Sequence, residues 1–236
     1  ALFIYVPLHL QMLQARGALD AGMTMLGLMV PGLVMPLFSS RMAVRWRMSF
    51  VLCGGFIFMA AGLLALLAGW SGNHIRTLDM RAMEMLGLVA CGAGVGTLYG
   101  LVDYLALTAL PPHRSGVASG AFNLVRLAGD ALGAIIPGAI LLQTVQDALA
   151  PHIPGEAPRA VTGAIAAGHF TAVERLDVQP AALSHLSQVA ELAFAHGMSC
   201  ALGVLCALAT VGAVAGLAGS DRLPRPSDPP RPRHGA

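Results

Sequence analysis

The chain has 236 residues, 56% of them hydrophobic and only 11% charged, and its mean hydropathy is +0.70. A soluble domain carries about 25% charged residues, so this composition cannot cover a water-facing surface and implies an all-α, polytopic membrane protein. The 14 basic residues are all arginine and the net charge is only +2, which carries no nucleic-acid signature.

The sequence begins at Ala1, without Met and already inside an apolar run. It has neither the basic segment nor the small-residue cleavage site of a signal peptide, and it reads as a fragment lacking an N-terminal part. The first span, about 1–14 (ALFIYVPLHLQMLQ), is the end of a truncated membrane helix interrupted by Pro7 and His9. A polar turn, ARGALDAG, leads to the second span at 21–39, which contains Pro31 and Pro36. Proline is tolerated in membrane helices because neighbours re-satisfy the freed carbonyl. Arg41, Arg45 and Arg47 follow closely.

The third span, 48–70, is long enough to cross a hydrocarbon core of about 30 Å, and Trp70 ends it as an interfacial residue would. The loop SGNHIRTLDMRAME separates it from the fourth span, 85–110. There Gly92, Gly96 and Gly100 recur every four residues and predict a flat helix-packing face, with Asp103 continuing it. The local CGAGVG is no nucleotide loop, since no strand precedes it and its spacing is GxGxG. Pro111 and Pro112 end this helix, because the residue before a proline avoids helical angles.

The fifth span, 114–143, is the most informative. Gly116 and Gly120 form one small-xxx-small pair, and Gly129 and Gly133 another, which predicts close approach to a second helix. Asn123, Arg126 and Asp130 fall on one helix face. Charges in an apolar helix are expensive, so that face should meet the bundle interior or a water-filled path. Residues 144–182 form a proline-containing loop too long for a simple connector, with a helix beginning within 181–194. The sixth span is 195–219, and the proline- and arginine-rich tail 220–236 reads as disordered.

Orientation follows the arginines. Six spans put Arg41, Arg45, Arg47, Arg114, Arg222, Arg225, Arg231 and Arg233 on one side, against Arg16, Arg76, Arg81, Arg159 and Arg175 on the other. The tail is therefore expected to be cytoplasmic and the 144–182 loop external.

Three stretches together resemble one family: YVPLHLQMLQARGALDAG, PLFSSRMAVRWR and, most specifically, ALPPHRSGVASGAFNLVRLAGDALG. They resemble the C-terminal six-helix half of the fourteen-helix drug:proton antiporters, the EmrB/QacA subfamily of the major facilitator superfamily. The resemblance implies a six-helix half built from two inverted three-helix repeats, here 1–70 and 85–219, with substrate near the midplane. It implies proton-driven export of small amphiphilic molecules by alternating access across a bacterial inner membrane. The implied partners are substrate and protons, the lipid bilayer, the N-terminal half of the same chain and an accessory efflux subunit. Two departures stand out: the basic loop after Ser39 and Ser40 lacks the family's usual acid, and Asp130 stands where a small residue is usual.

Asp103, Arg126, Asp130 and Asn123 are the candidate charge and substrate network. Arg126 is read either as a coupling residue or as a structural pin paired to Asp130. Asp103 is read as a proton carrier or as an acid facing water without a role. His9 and His196 are candidate cavity-lining residues, or packed and hydrogen-bonded ones. Cys53, Cys91, Cys200 and Cys206 lack metal spacing and read as packed free thiols. No metal and no cofactor are implied, and no HExxH or GxSxG supports an enzyme. A uniporter or symporter of the same superfamily, or a non-transporting membrane scaffold, are the alternative readings.

Overall fold

The computed structural model describes residues 2–45, 48–71, 78–108, 115–151, 163–165 and 180–218. The 111–114 turn, most of the 144–182 loop and the 220–236 tail lie outside them. Six helices are described: α1 (Leu2–Met12), α2 (Ala18–Arg45), α3 (Met48–Ser71), α4 (Leu78–Thr108), α5 (Ser115–Leu149) and α6 (Pro180–Ala218). There is no strand among the described residues.

Five stretches are long and apolar enough to cross a membrane: Ala18–Ser39, Met48–Trp70, Arg81–Val102, Ser119–Leu149 and His185–Ala218. The chain is therefore an all-α, multi-pass membrane protein. With 11 residues, α1 reaches about 16 Å, short of a core of about 30 Å.

Four helices outrun their expected bounds, α2 by three residues at its start and six at its end. α4 starts at Leu78 instead of 85, because Asp79 favours a helix N-terminus and MRAME contains good helix formers. α5 continues to Leu149 through TVQDAL. α6 is one helix from Pro180, a residue suited to the first helical position, so the segment expected to begin separately within 181–194 is continuous with the last span.

The described chain forms two compact units. One comprises Ala1–Leu26 with Asn123–Val204, the other Gly27–Phe122 with Leu205–Ala236. Each unit joins segments that are distant in sequence.

In the Gly27–Phe122 unit, α4 is gripped on two faces. Against α2, a Cβ on Gly96 would lie 2.5 Å from Gly32 O, one on Gly92 would collide with Leu28 O, and one on Gly100 would lie 3.3 Å from Pro36 Cα. Against α3, a Cβ on Gly94 would lie 2.6 Å from Gly55 O, and one on Gly87 2.9 Å from Leu66 Cγ. In return, a Cβ on Gly62 of α3 would lie 2.7 Å from Gly87 O. The two glycine stripes of α4 are about 170° apart, on nearly opposite faces, at 100° per residue. Backbones come this close only where side chains are absent. At one end of this unit Met48, Val51, Leu52 and Leu101 form a buried cluster with Leu98 packed on it. The second half of α6 also packs on α3: Cys53 Sγ donates to Ala213 O at 3.0 Å, and a Cβ on Gly212 would meet the Phe56 ring.

In the other unit, α1 is pinned to α5 beside Pro137. The Tyr5 hydroxyl donates to Ala134 O at 2.7 Å, three residues before that proline. Gly138 leaves room for that hydroxyl, since a Cβ there would lie 2.6 Å from it. α6 meets α5 at Gly197, whose Cβ would lie 3.0 Å from Leu141 Cδ1. Phe194, Leu141, Val145 and Leu149 are fully buried. The turn after α1 places Ala15 at φ 50°, a left-handed conformation that costs a residue with a Cβ about 1–2 kcal/mol.

Two outcomes are expected. Gly92→Leu and Gly96→Leu should each destabilise the fold by at least about 3 kcal/mol, the upper range for overpacking, and lower the monodisperse yield in detergent. Gly203→Leu, at a position with nothing within 4 Å, should leave that yield near wild type. Ala15→Gly should raise thermal stability by about 1 kcal/mol, because relief of the left-handed Cβ exceeds the entropic cost of glycine.

Candidate functional site

The charges singled out in the sequence lie on α4 and α5. Asp103 is on α4 three residues past Gly100, so the α2–α4 contact fixes its backbone one turn beyond the last glycine. Its side chain lies outside the described residues, and it belongs to the Gly27–Phe122 unit. Asn123, Arg126 and Asp130 belong to the other unit, all on one face of α5 and all exposed.

α5 is unusual among the candidate spans. Only 11% of its apolar window is buried, against 44% for α4. From Asn123 to Leu132 every residue is exposed, including Leu124, Val125 and Leu127. A guanidinium and a carboxylate cannot be left facing lipid at such a position without a large desolvation cost. This half of α5 therefore requires protein or a water-filled path against its charged face.

The glycines of α5 behave unlike those of α4. Expected to make close helix contacts, Gly116, Gly120, Gly129 and Gly133 have nothing within 4 Å of an added Cβ among the described residues. The spacing is that of a packing face, but the described helices supply no partner for it.

The two histidines differ. His9 is 5% exposed near the end of α1, and its carbonyl accepts from Leu13 N and Gln14 N. It is buried among the described residues. His196 is exposed on α6, with Nε2 3.7 Å from Cys200 Sγ one turn on.

Two polar groupings escaped the sequence reading. Glu84 was assigned to the loop before the fourth span, yet it is 4% exposed inside α4 and accepts from Trp70 Nε1 at 3.3 Å. Trp70 is thus a donor across the α3–α4 hairpin as well as an interfacial residue. The signal was available: the helical run from Leu78 puts Glu84 on the same face as Cys91. The second grouping is at the α1–α2 turn, where Arg16 Nη1 donates to Thr24 Oγ1 at 3.0 Å. Thr24 in turn donates to Asp20 O at 2.9 Å, and Arg16 Nε lies 3.8 Å from Asp20 Oδ2. The Arg16 side chain is only 7% exposed. It anchors the turn and is not a free external charge.

Among the described residues no cluster of three or more His, Cys, Asp or Glu could hold a metal ion.

Comparison with known proteins points one way. A 105-residue stretch is 30% identical to the multidrug resistance protein Stp of Mycobacterium tuberculosis, covering 44% of this chain and 20% of that protein. A 141-residue stretch is 27% identical to the uncharacterized transporter YebQ of Escherichia coli, covering 59% of this chain and 29% of that protein. The chain thus spans less than a third of either relative. No family model matches it, and no solved structure matches it.

Removing the indole donor while keeping an aromatic ring tests the hairpin bond. Trp70→Phe should lower thermal stability by about 1–3 kcal/mol, the cost of leaving a buried acceptor short of a partner. Glu84→Gln, which keeps a carbonyl acceptor, should lose less. Equal melting temperatures for Trp70→Phe and wild type would show that the bond contributes nothing.

Proposed function

We propose that this chain is part of a secondary active transporter, and that it serves as the C-terminal six-helix half of a major facilitator drug:proton antiporter of the fourteen-helix type. The observation that carries the reading is the charged face of α5. A helix of membrane-crossing length bears Asn123, Arg126 and Asp130 together on an exposed face. Such groups persist in a membrane helix where they line a substrate or ion path. The printed names of the relatives, a multidrug resistance protein and a transporter, support the same class. They do not suggest an enzyme.

In this reading the transported species is a small amphiphilic molecule, and proton entry drives its export by alternating access. The N-terminal half of the full-length protein supplies the other wall of the path, and an accessory efflux subunit is a further partner. The membrane is a bacterial inner membrane, with the C-terminal tail in the cytoplasm and the 144–182 loop outside.

Asp103 and Arg126 provide the coupling. Paired with Arg126, Asp103 stays ionised; once released, it takes a proton. Arg126 alternates between Asp103 and Asp130, and Asn123 on the same α5 face binds substrate.

Full-length protein in proteoliposomes tests this, by efflux of a fluorescent cationic dye with and without an imposed pH gradient. Arg126→Ala should abolish transport. Asp103→Asn should remove the gradient dependence, and Asp130→Asn should be intermediate. Wild-type gradient-driven efflux by Asp103→Asn would sink the coupling scheme. Orientation is tested separately: in a cysteine-free background, Ala160→Cys should react with an impermeant thiol reagent added outside, and Ala43→Cys should not.

A further inference from the structure

Two thiols reach one turn of α3 from different helices. Cys91 of α4 directs Sγ at Met59 O, 3.8 Å away. Cys206 of α6 directs Sγ at Ala60 O, 3.7 Å away. Met59 and Ala60 are consecutive, so their carbonyls are offset by only about 1.5 Å along the helix axis and 100° around it. All four residues lie in one compact unit.

The position of Cys91 is set by backbone packing. A Cβ on Gly62 would lie 2.6 Å from both its N and its Sγ, so the glycine of α3 lets the thiol seat against that helix. Cys91 is buried and Cys206 half-buried, which leaves one side of the pair approachable. The other two cysteines stand apart. Cys53 bonds Ala213 O and lies seven residues, about 10 Å along the axis, from Ala60. Cys200 is paired with His196.

Thiols are weak hydrogen-bond donors, and both of these bonds are long. Little would oppose their exchange for a better ligand. We propose that Cys91 and Cys206 form a two-thiol site for a thiophilic d10 cation of the Hg(II), Ag(I) or Cu(I) class, bound across the Met59–Ala60 step of α3. Soft thiolates select such ions. Binding forms two metal–sulfur bonds and breaks two S–H bonds, releasing two protons. No oxidant or reductant is involved. The bound ion joins α4 to α6 across α3, so it restrains any motion between them. The site is independent of the transport reading above.

The probe is mercuric chloride on the full chain in detergent, with Cys53→Ser and Cys200→Ser as the background. Intact-mass spectrometry should show one mercury gained and two protons lost, retained against excess glutathione. Adding Cys91→Ala or Cys206→Ala should each weaken that retention by at least about tenfold, since one thiolate then holds the ion alone. Dibromobimane, which fluoresces strongly only after alkylating two thiols, should light up in the background and in neither single variant. Should Cys91→Ala fail to fold, the half-buried Cys206→Ala and the bimane cross-link decide the question. Mercury retained equally by the background and by a folded single variant, or no bimane fluorescence in the background, overturns the site.

Discussion

Close backbone approach around α4 is the constraint on which the rest of its unit depends. Helix association in a membrane gains little from hydrophobic exclusion, because lipid tails are as apolar as leucine. What remains is packing, and packing is best where nothing separates the backbones. α4 meets that demand twice, with Gly92, Gly96 and Gly100 toward α2 and Gly87 and Gly94 toward α3. Because carbonyl oxygens face Gly92, Gly94 and Gly96, neither contact can absorb a methyl group there by a rotamer change. The position of Asp103 and the seat of Cys91 follow from this.

The same rigidity explains how polar groups are accommodated there. Glu84 is buried at the turn end of the α3–α4 hairpin, where Trp70 can supply a donor. Ser39, buried on α2 beside Gly100, satisfies itself by donating to Pro36 O at 3.1 Å. Thr97 does likewise with Ala93 O at 2.7 Å. Each uses a partner within its own helix or hairpin, so the glycine contacts carry no unpaired hydroxyl.

Much of this was legible in the sequence, and the failures are specific. Composition and span length give the all-helical membrane class, since 11% charge cannot solvate a surface. The four-residue glycine period marks a packing face on α4 without naming its neighbour. The second stripe, Gly87 and Gly94, was hidden because its spacing of seven is not a small-xxx-small pair. Glu84 was lost with the helix start: a run of Asp, Arg and Glu reads as loop by polarity, though every residue in it except Asp79 is a good helix former. The charge network was legible as composition and face, since Asn123, Arg126 and Asp130 share α5 by spacing alone. Which groups they meet was not, because spacing within one helix holds no information about another.

α5 gives the sharper lesson, because it carries the α4 pattern in the opposite environment. Gly116, Gly120, Gly129 and Gly133 repeat the four-residue spacing, yet among the described residues nothing lies within 4 Å of a Cβ added at any of them. A small-residue period therefore records that a backbone can be approached, and not that the described segments approach it. The polar content of the two helices differs accordingly. α4, packed on both sides, holds Glu84 buried beside the turn of its hairpin, with Asp79 in its first turn and Asp103 past its last glycine. α5 has Arg126 and Asp130 in its least covered half, while its other half is held by Tyr5 at Ala134 and by α6 at Gly197. An intramembrane charge set on a closed face would be fixed by its neighbours. On the exposed half of α5 the two charges need protein or a water-filled path against them, because lipid would leave both desolvated.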